Sequence, residues 1–413
     1  MFTSKASATQ PEESSRVSDY LSLTIVITGL GYFVDSFDAF SFNVYRVKSL
    51  TELGLVGDQL TNAGIFILNC QVTASLVGGI LWGILGDRIG RKKALLGSIL
   101  LYSIGMIANA FVKDVDQYAA TRALVGFGIA GEVGFGATLV GEIIQNTKRT
   151  YGLAMFTALG LLGVAAAALS IEVVNWRTGC IAGGVAGLLL MFLRHKLFES
   201  PLFDNLFKNN VRRGRFDDIL TDFTALKRWI ACIFILAPNF FVTGVLLTLA
   251  PEITKAAGID GIKANIAIAC YFGCAVIGDF TAAFISEKLK SRINTHFFFL
   301  LGNMAVACVY IFATPKTLLG FYSICAAFGL FNLWALATTI AVEQFKTHLR
   351  ATVTASSMNF ARACIVPMNL GLLLIKPAGG VTSAAFIVGG FVFAAGFMSL
   401  LALRDSFGEN LEH

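Results

Sequence analysis

The sequence predicts an all-α membrane protein with twelve transmembrane helices arranged as two pseudo-symmetric six-helix halves. Three observations carry that expectation: the composition, the recurrence of apolar runs long enough to cross a bilayer, and charged features that repeat about 200 residues apart. Of the 413 residues, 56% are hydrophobic and 14% charged, against roughly 25% charged in an ordinary soluble domain, and the mean hydropathy is +0.72. That balance excludes a soluble enzyme. It equally excludes a disordered chain and a nucleic-acid binder, which both need more charge. The 41 glycines suit helices that pack closely in lipid.

A bilayer core about 30 Å thick takes about 20 apolar residues per helix. Residues 1–20 are Ser-rich, carry both charge signs and lack the basic-then-apolar order of a signal peptide, so a solvated tail is expected there. Runs of spanning length follow at 21–45, 62–85, 94–112, 117–143, 152–174 and 178–194, giving an N-terminal half over 21–194. A polar, basic loop over 195–228 separates it from runs at 229–251, 265–286, 295–314, 317–342, 352–375 and 380–402, a C-terminal half over 229–402. Residues 403–413 form the second tail, and its final Leu411-Glu412-His413 reads as a tag remnant.

Lysine and arginine set the orientation, because cytoplasmic loops hold the excess. With both termini inside, the inner segments, counting residue 194 among them, hold 22 of the 32 and the outer loops 8; the other two are Arg122 and Arg362, inside expected spans. The net charge of +6 therefore faces the inner leaflet of the lipid bilayer. The eight cysteines all fall in apolar runs, where each serves as a small hydrophobe. No metal-ligand set, phosphate loop or nucleophile–base spacing is present, so neither an enzyme, a metal site nor ATP drive is expected.

Gly86-Asp87-Arg88-Ile89-Gly90-Arg91-Lys92-Lys93 closes the second run, and Ser286-Glu287-Lys288-Leu289-Lys290-Ser291-Arg292 closes the eighth, 200 positions on. Glu142 and Arg149 follow the fourth run as Glu343 and Arg350 follow the tenth, 201 positions on. A six-helix unit duplicated in parallel implies two halves about an axis along the membrane normal, with a solute path between them near the midplane.

Gly83-x-x-Gly86-Asp87-Arg88-x-Gly90-Arg91-Lys92 resembles the loop signature between helices 2 and 3 of the major facilitator superfamily, and the resemblance covers almost the whole chain. Gly86 and Gly90 are expected to permit a tight turn. Asp87 is expected to accept hydrogen bonds from a helix N-terminus, and Arg88, Arg91 and Lys92 to pair with carboxylates on neighbouring helices. Such a cluster can latch the halves in one conformation; its bland alternative is a topology signal. In the second half Ala283 and Ser286 replace the glycines. Arg122-x-x-x-Gly126-x-Gly128-x-Ala130-Gly131-Glu132 resembles the fourth-helix signature. Glu142 with Arg149, Glu343 with Arg350, and Glu199-Ser200-Pro201 resemble the gating charge motifs of the sugar, phosphate and organic-ion branches.

A charge deep in a bilayer costs about 2.5–3.5 kcal/mol on insertion scales, so the six in expected spans mark function: Asp35, Asp38, Arg122, Glu132, Asp279 and Arg362. Helices 1, 4, 7 and 10 line the path in the superfamily, and the resemblance thereby puts the first four near the cavity. Asp35 and Asp38 lie three residues apart on one helix face, and two like charges in low dielectric do not both ionise cheaply. One of them is thus expected to hold a proton. Gly31 to Phe40 resembles the first-helix Asp-x-x-Asp motif of proton-coupled phosphate and organic-acid symporters. The competing reading has either aspartate capping a kink or pairing permanently with Arg122.

Glu132, about 15 Å along the helix from Arg122, either joins the proton path or makes an interhelical hydrogen bond as a neutral acid. Arg122 is either the partner of an unloaded aspartate or a fixed bridge. Arg362 either grips an anionic substrate or pairs with Asp279. Pro238-Asn239 kinks helix 7 and leaves an amide at the bend. Phe331-Asn332-Leu333-Trp334 supplies an amide and an indole to helix 10, and Tyr32 flanks the aspartates; packing is the alternative for each. The substrate contacts expected are therefore Tyr32, Asn239, Asn332, Trp334 and Arg362.

The expected function is a proton-coupled symporter that imports a small polar metabolite, organic anion or phosphate, as a monomer, powered by the proton gradient without a cofactor. The competing readings are proton-driven movement of an amino acid, organic cation or metal ion in either direction, and a non-transporting sensor on the same fold.

Overall fold

The computed structural model describes residues 23–144, 149–170, 173–194, 214–250, 253–254, 258–259, 261–313 and 317–409. The first tail, Glu199-Ser200-Pro201, most of the central loop and Leu411-Glu412-His413 lie outside the described residues. Among those described there is no strand. The first half consists of α1 (Leu23–Glu52), α2 (Gly57–Ile89), α3 (Arg91–Asn109), α4 (Val115–Ile143), α5 (Arg149–Ser170) and α6 (Trp176–Arg194). After a short helix at Phe216–Thr221, the second half consists of α7 (Phe223–Leu246), α8 (Ala264–Leu289), α9 (Arg292–Phe312), α10 (Leu318–Gln344), α11 (Thr347–Ile375) and α12 (Gly380–Leu400). Eleven of these are long and apolar enough to cross a membrane. The twelfth, α3, opens on Arg91-Lys92-Lys93, which lowers its mean hydropathy.

Leu189, Phe192, Leu373, Leu374 and Phe391 stand exposed on the outside of the bundle, as lipid-facing side chains must. The interior is closed by small residues. Between the halves α2 packs on α11 and α5 on α8. A Cβ on Gly83 would stand 2.7 Å from the Cα of Thr352, so glycine there lets α2 and α11 touch through their backbones. At the pseudo-equivalent contact Ala283 of α8 meets Ala154 of α5 and Ala335 of α10.

Two helices break where the site needs it. α7 turns at Ile235-Leu236, ahead of Pro238, which has no N–H to donate, and continues through a π-turn at Val242–Leu246. α10 breaks at residues 331–333 and resumes as Trp334–Gln344. Gly90, with φ 104, makes the turn between α2 and α3. Gly86 corrects the expectation: it lies inside α2, where its missing side chain makes room for the Phe135 ring, and takes no part in the turn.

Candidate functional site

Between the halves lies a small, partly enclosed cavity. Tyr32, Asp35, Ser36 and Phe40 of α1 line one wall, and α5 closes beside them with Gly160 and Leu161. The breaks in α7 and α10 present Asn239, Phe240, Thr243, Asn332 and Trp334 on the facing wall. Tyr271 and Phe272 of α8 and Arg362 of α11 complete it. All five expected substrate contacts are therefore brought together here, with Asp35. Ser36, Thr243, Tyr271 and the three phenylalanines Phe40, Phe240 and Phe272 were missed, because hydroxyls and aromatics in an apolar run look like packing.

Asp35 is 1% exposed and neither carboxylate oxygen has a hydrogen-bond partner among the described residues. It interacts electrostatically with Glu132, Arg362, Asp38 and Arg194. Asp38 is likewise buried without a partner, but it does not line the cavity. Its carboxylate lies against Gly183 of α6, in space that any side chain there would fill. The shared face expected for the two aspartates is thus corrected: three residues at about 100° each leave them about 60° apart around the helix, enough to send them into different surroundings.

Arg122 and Glu132 also lie off the cavity. Arg122 donates from Nε and Nη2 to the Gln71 amide oxygen at 3.2 and 2.9 Å and from Nη2 to the Asp38 backbone carbonyl at 3.4 Å. It forms no ion pair with either aspartate carboxylate. Glu132 is gripped by both terminal nitrogens of Arg194, at 2.8 Å for Nη1, while Nη2 also donates to the Thr28 carbonyl at 2.9 Å. Neither cavity lining nor a neutral hydrogen bond describes Glu132; it ties α1, α4 and α6 through a fully buried ion pair. Arg194, counted above with the inner loop, is 0% exposed, and Gly31 leaves the space its guanidinium occupies. Breaking a buried pair strands a charge, at about 3–5 kcal/mol. Glu132→Gln is expected to lower thermal stability by that order, and Glu132→Leu with Arg194→Met to regain most of it in the same unfolding measurement.

Asp279 does not pair with Arg362. Its Oδ2 accepts from the Thr157 hydroxyl at 2.7 Å, and its Oδ1 accepts from Asn332 Nδ2 at 2.8 Å and the Ala335 N–H at 3.1 Å. Asn332 Oδ1 in turn accepts from Asn239 Nδ2 at 2.8 Å and the Tyr271 hydroxyl at 3.0 Å. Arg362 is left to the cavity.

The expected latch residues meet at one end of the bundle. Arg149 reaches across the halves to Glu343 at 2.6 Å, and Arg350 reaches back to Glu142 at 2.8 Å. Each arginine also donates Nε to a carbonyl eight residues before it, Gly141 at 2.9 Å and Val342 at 3.0 Å. A second arginine flanks each glutamate: Arg91 is 3.1 Å from Glu142 and Arg292 is 3.5 Å from Glu343. The counterparts stand 201 positions apart throughout (91 and 292, 142 and 343, 149 and 350). Asp87 accepts from the Thr352 N–H at 2.9 Å, the Thr352 hydroxyl at 2.7 Å and the Ala351 N–H at 3.3 Å, in the first turns of α11, while pairing with Arg91 at 3.2 Å. Arg88 departs from the expectation: it is exposed and forms no ion pair among the described residues. Lys92, half-buried beside Arg91, belongs to the same basic run. These contacts join the two halves at this end. On the other side Phe40 and Phe272 meet edge to face at 5.5 Å, and Asn265 donates to the Ala168 carbonyl at 3.4 Å.

The family model of the Major Facilitator Superfamily matches residues 21–368. A Bacillus subtilis (strain 168) protein named for niacin/nicotinamide transport is 25% identical over 363 residues, covering 85% of this chain and 88% of its own. A Staphylococcus haemolyticus (strain JCSC1435) protein named for proline/betaine transport is 27% identical over 381 residues, covering 82% and 78%. The solved structure of the proton:xylose symporter XylE bound to 6-bromo-6-deoxy-D-glucose superimposes with a TM-score of 0.77 at 16% identity, covering 96% of this chain and 98% of that one. At that identity the match speaks for the fold alone. With the family model over most of its length and the twelve-helix fold beside it, the chain belongs to the major facilitator superfamily of membrane transporters.

Proposed function

We propose that this transporter is a proton-coupled symporter that imports a small organic anion, with a heteroaromatic monocarboxylate such as nicotinate as the first candidate. The observation that carries the reading is one cavity holding a buried, unpartnered carboxylate, Asp35, together with Arg362 and aromatic walls. A guanidinium takes a carboxylate by two parallel hydrogen bonds. Tyr32, Phe240 and Trp334 offer ring faces and edges to a flat solute, and Asn239 and Thr243 offer polar contacts around it. A single arginine with so much aromatic wall favours an organic carboxylate over phosphate. The name of the Bacillus relative supports the same class.

Asp35 would take up the proton and Arg362 the anion; the halves, 21–194 and 229–402 joined by 195–228, would then rock about the site. The latch end is assigned to the cytoplasm, with both termini, from the lysine and arginine count, and the membrane to the plasma membrane. A second reading has one supporting observation: Asp35 and Arg362 face one aromatic-lined space, which also suits a zwitterion such as proline or glycine betaine. Purified protein in liposomes, with an inward proton gradient, is expected to accumulate radiolabelled nicotinate and to lose it on adding a protonophore. Proton-linked accumulation of proline or betaine without nicotinate would replace the first reading by the second. Accumulation indifferent to the protonophore would end the claim of proton coupling.

A further inference from the structure

We propose that Asp279 is a second proton-binding site, joined to the cavity through Asn332 and to the opposite half through Thr157. Its coupling to transport rests on the proton-symport reading above; its capacity to bind a proton does not. Asp279 is fully buried, and no lysine or arginine among the described residues pairs with it. Three donors hold it instead: Thr157, Asn332 and the Ala335 N–H, the last in the first turn of the helical segment Trp334–Gln344. Dipoles thus take the place of a counter-ion, and a carboxylate held only by dipoles can be neutralised without stranding a cation.

The geometry also accommodates the added proton. The Thr157 hydroxyl lies 2.7 Å from Asp279 Oδ2 and 3.2 Å from the Ala154 carbonyl. With Asp279 ionised, the hydroxyl donates to the carboxylate. With Asp279 protonated on Oδ2, the acid donates to Thr157 Oγ1 and the hydroxyl proton turns to the Ala154 carbonyl. One hydrogen bond reverses, another forms, and no heavy atom has to move. Oδ1 keeps Asn332 and Ala335 in both states.

Two connections give this site its meaning. Asn332 Oδ1 is held by Asn239 and Tyr271, both of which line the cavity. A bound anion competes for those donors, loosens Asn332 and places negative charge near Asp279, which favours the neutral acid. By reciprocity a proton on Asp279 tightens the anion. Thr157 belongs to α5 and Asp279 to α8, so their bond spans the two halves and must break whenever those helices part. Three of the other titratable groups on the packed elements are turned elsewhere. Arg149 of α5 and Arg292 of α9 face Glu343, and His296 of α9 faces the Ile235 carbonyl. Tyr271 interacts with Asp279 electrostatically as well as through Asn332, and Asp35 and Arg362 line the cavity.

The test is pH-difference infrared spectroscopy of the full-length protein in vesicles with no solute added. A protonated-carboxyl band that titrates is expected in the wild type and in Asp35→Asn and is expected to be missing from Asp279→Asn. Thr157→Val, which removes the acceptor of the acid proton, shifts that band, and Thr157→Ser leaves it in place. Identical carboxyl bands in the wild type and Asp279→Asn across the whole pH range would overturn the proposal. Should Asp279→Asn fail to fold, an unshifted band in both Thr157→Val and Asp279→Glu overturns it equally. A wild type that shows the band yet accumulates no solute with protons would instead sink the symport reading and leave the proton site standing.

Discussion

In liposomes, Asp35→Asn is expected to abolish gradient-driven accumulation while equilibrium exchange of solute continues, and Asp38→Asn is expected to retain accumulation. The two residues share a motif, but only Asp35 lines the cavity. A carboxylate buried without donor or cation carries an effective penalty of several kcal/mol as an ion, and Asp35 has no bonded partner of either kind. A proton removes that penalty, and so does water admitted when the cavity opens, which is the alternation a coupling site requires. An amide at 35 is neutral in every state, so the empty and loaded protein cross with equal ease; a proton on Asp279 still tightens the anion, but with every state free to cross it does not tie solute to the gradient. Asp38 is buried beside Gly183, with Arg122 held near its backbone carbonyl, away from the solute. The measurement is accumulation under an imposed proton gradient beside counterflow without one. Full accumulation by Asp35→Asn would remove Asp35 from the proton path, and loss in Asp38→Asn alone would transfer the role.

How much of this was legible in the sequence depended on whether a residue's meaning is local. The latch was readable because its charges lie at helix ends and repeat 201 positions apart, as Glu142, Arg149, Glu343 and Arg350 do. Depth along a helix is also readable, and it suffices to put Tyr32, Asn239, Asn332, Trp334 and Arg362 at the level of the cavity. Rotation about the helix is not. Helices apolar on all sides carry no stripe to show which way they face, so the sequence could not send Asp35 into the cavity and Asp38 away from it. Partners on other helices were hidden for the same reason. Arg194 sits where an apolar run stops and so reads as a loop residue, although its long side chain turns back to Glu132. Asp279 and Arg362 are the acid and base left over on helices 8 and 11, and pairing them by charge overlooked three uncharged donors.

The latch supplies the other large effect. Glu343→Gln is expected to open the latch end and shift the resting protein away from the closed form described here. Glu343 accepts from Arg149 across the halves and from Ser406 at 2.8 Å, with Arg292 beside it. Removing its charge leaves two buried arginines facing each other's field, a loss of about 3–5 kcal/mol. With tenfold per 1.4 kcal/mol, that is at least a hundredfold change in the balance between closed and open latch. Spin labels at Lys93 and Lys346, exposed on opposite halves at this end, in a cysteine-free background, are expected to move apart; an unchanged distance distribution would show that the latch does not hold the halves. The exchange Arg149→Glu with Glu343→Arg separates a simple pair from a network. An isolated pair would be restored by swapping its members. Here the new arginine at 343 would stand against Arg292, and the new glutamate at 149 would lose the bond to the Gly141 carbonyl. The swap is therefore expected to stay open. The same failure is expected at Glu142, where Arg91 occupies the place that Arg292 takes in the other half.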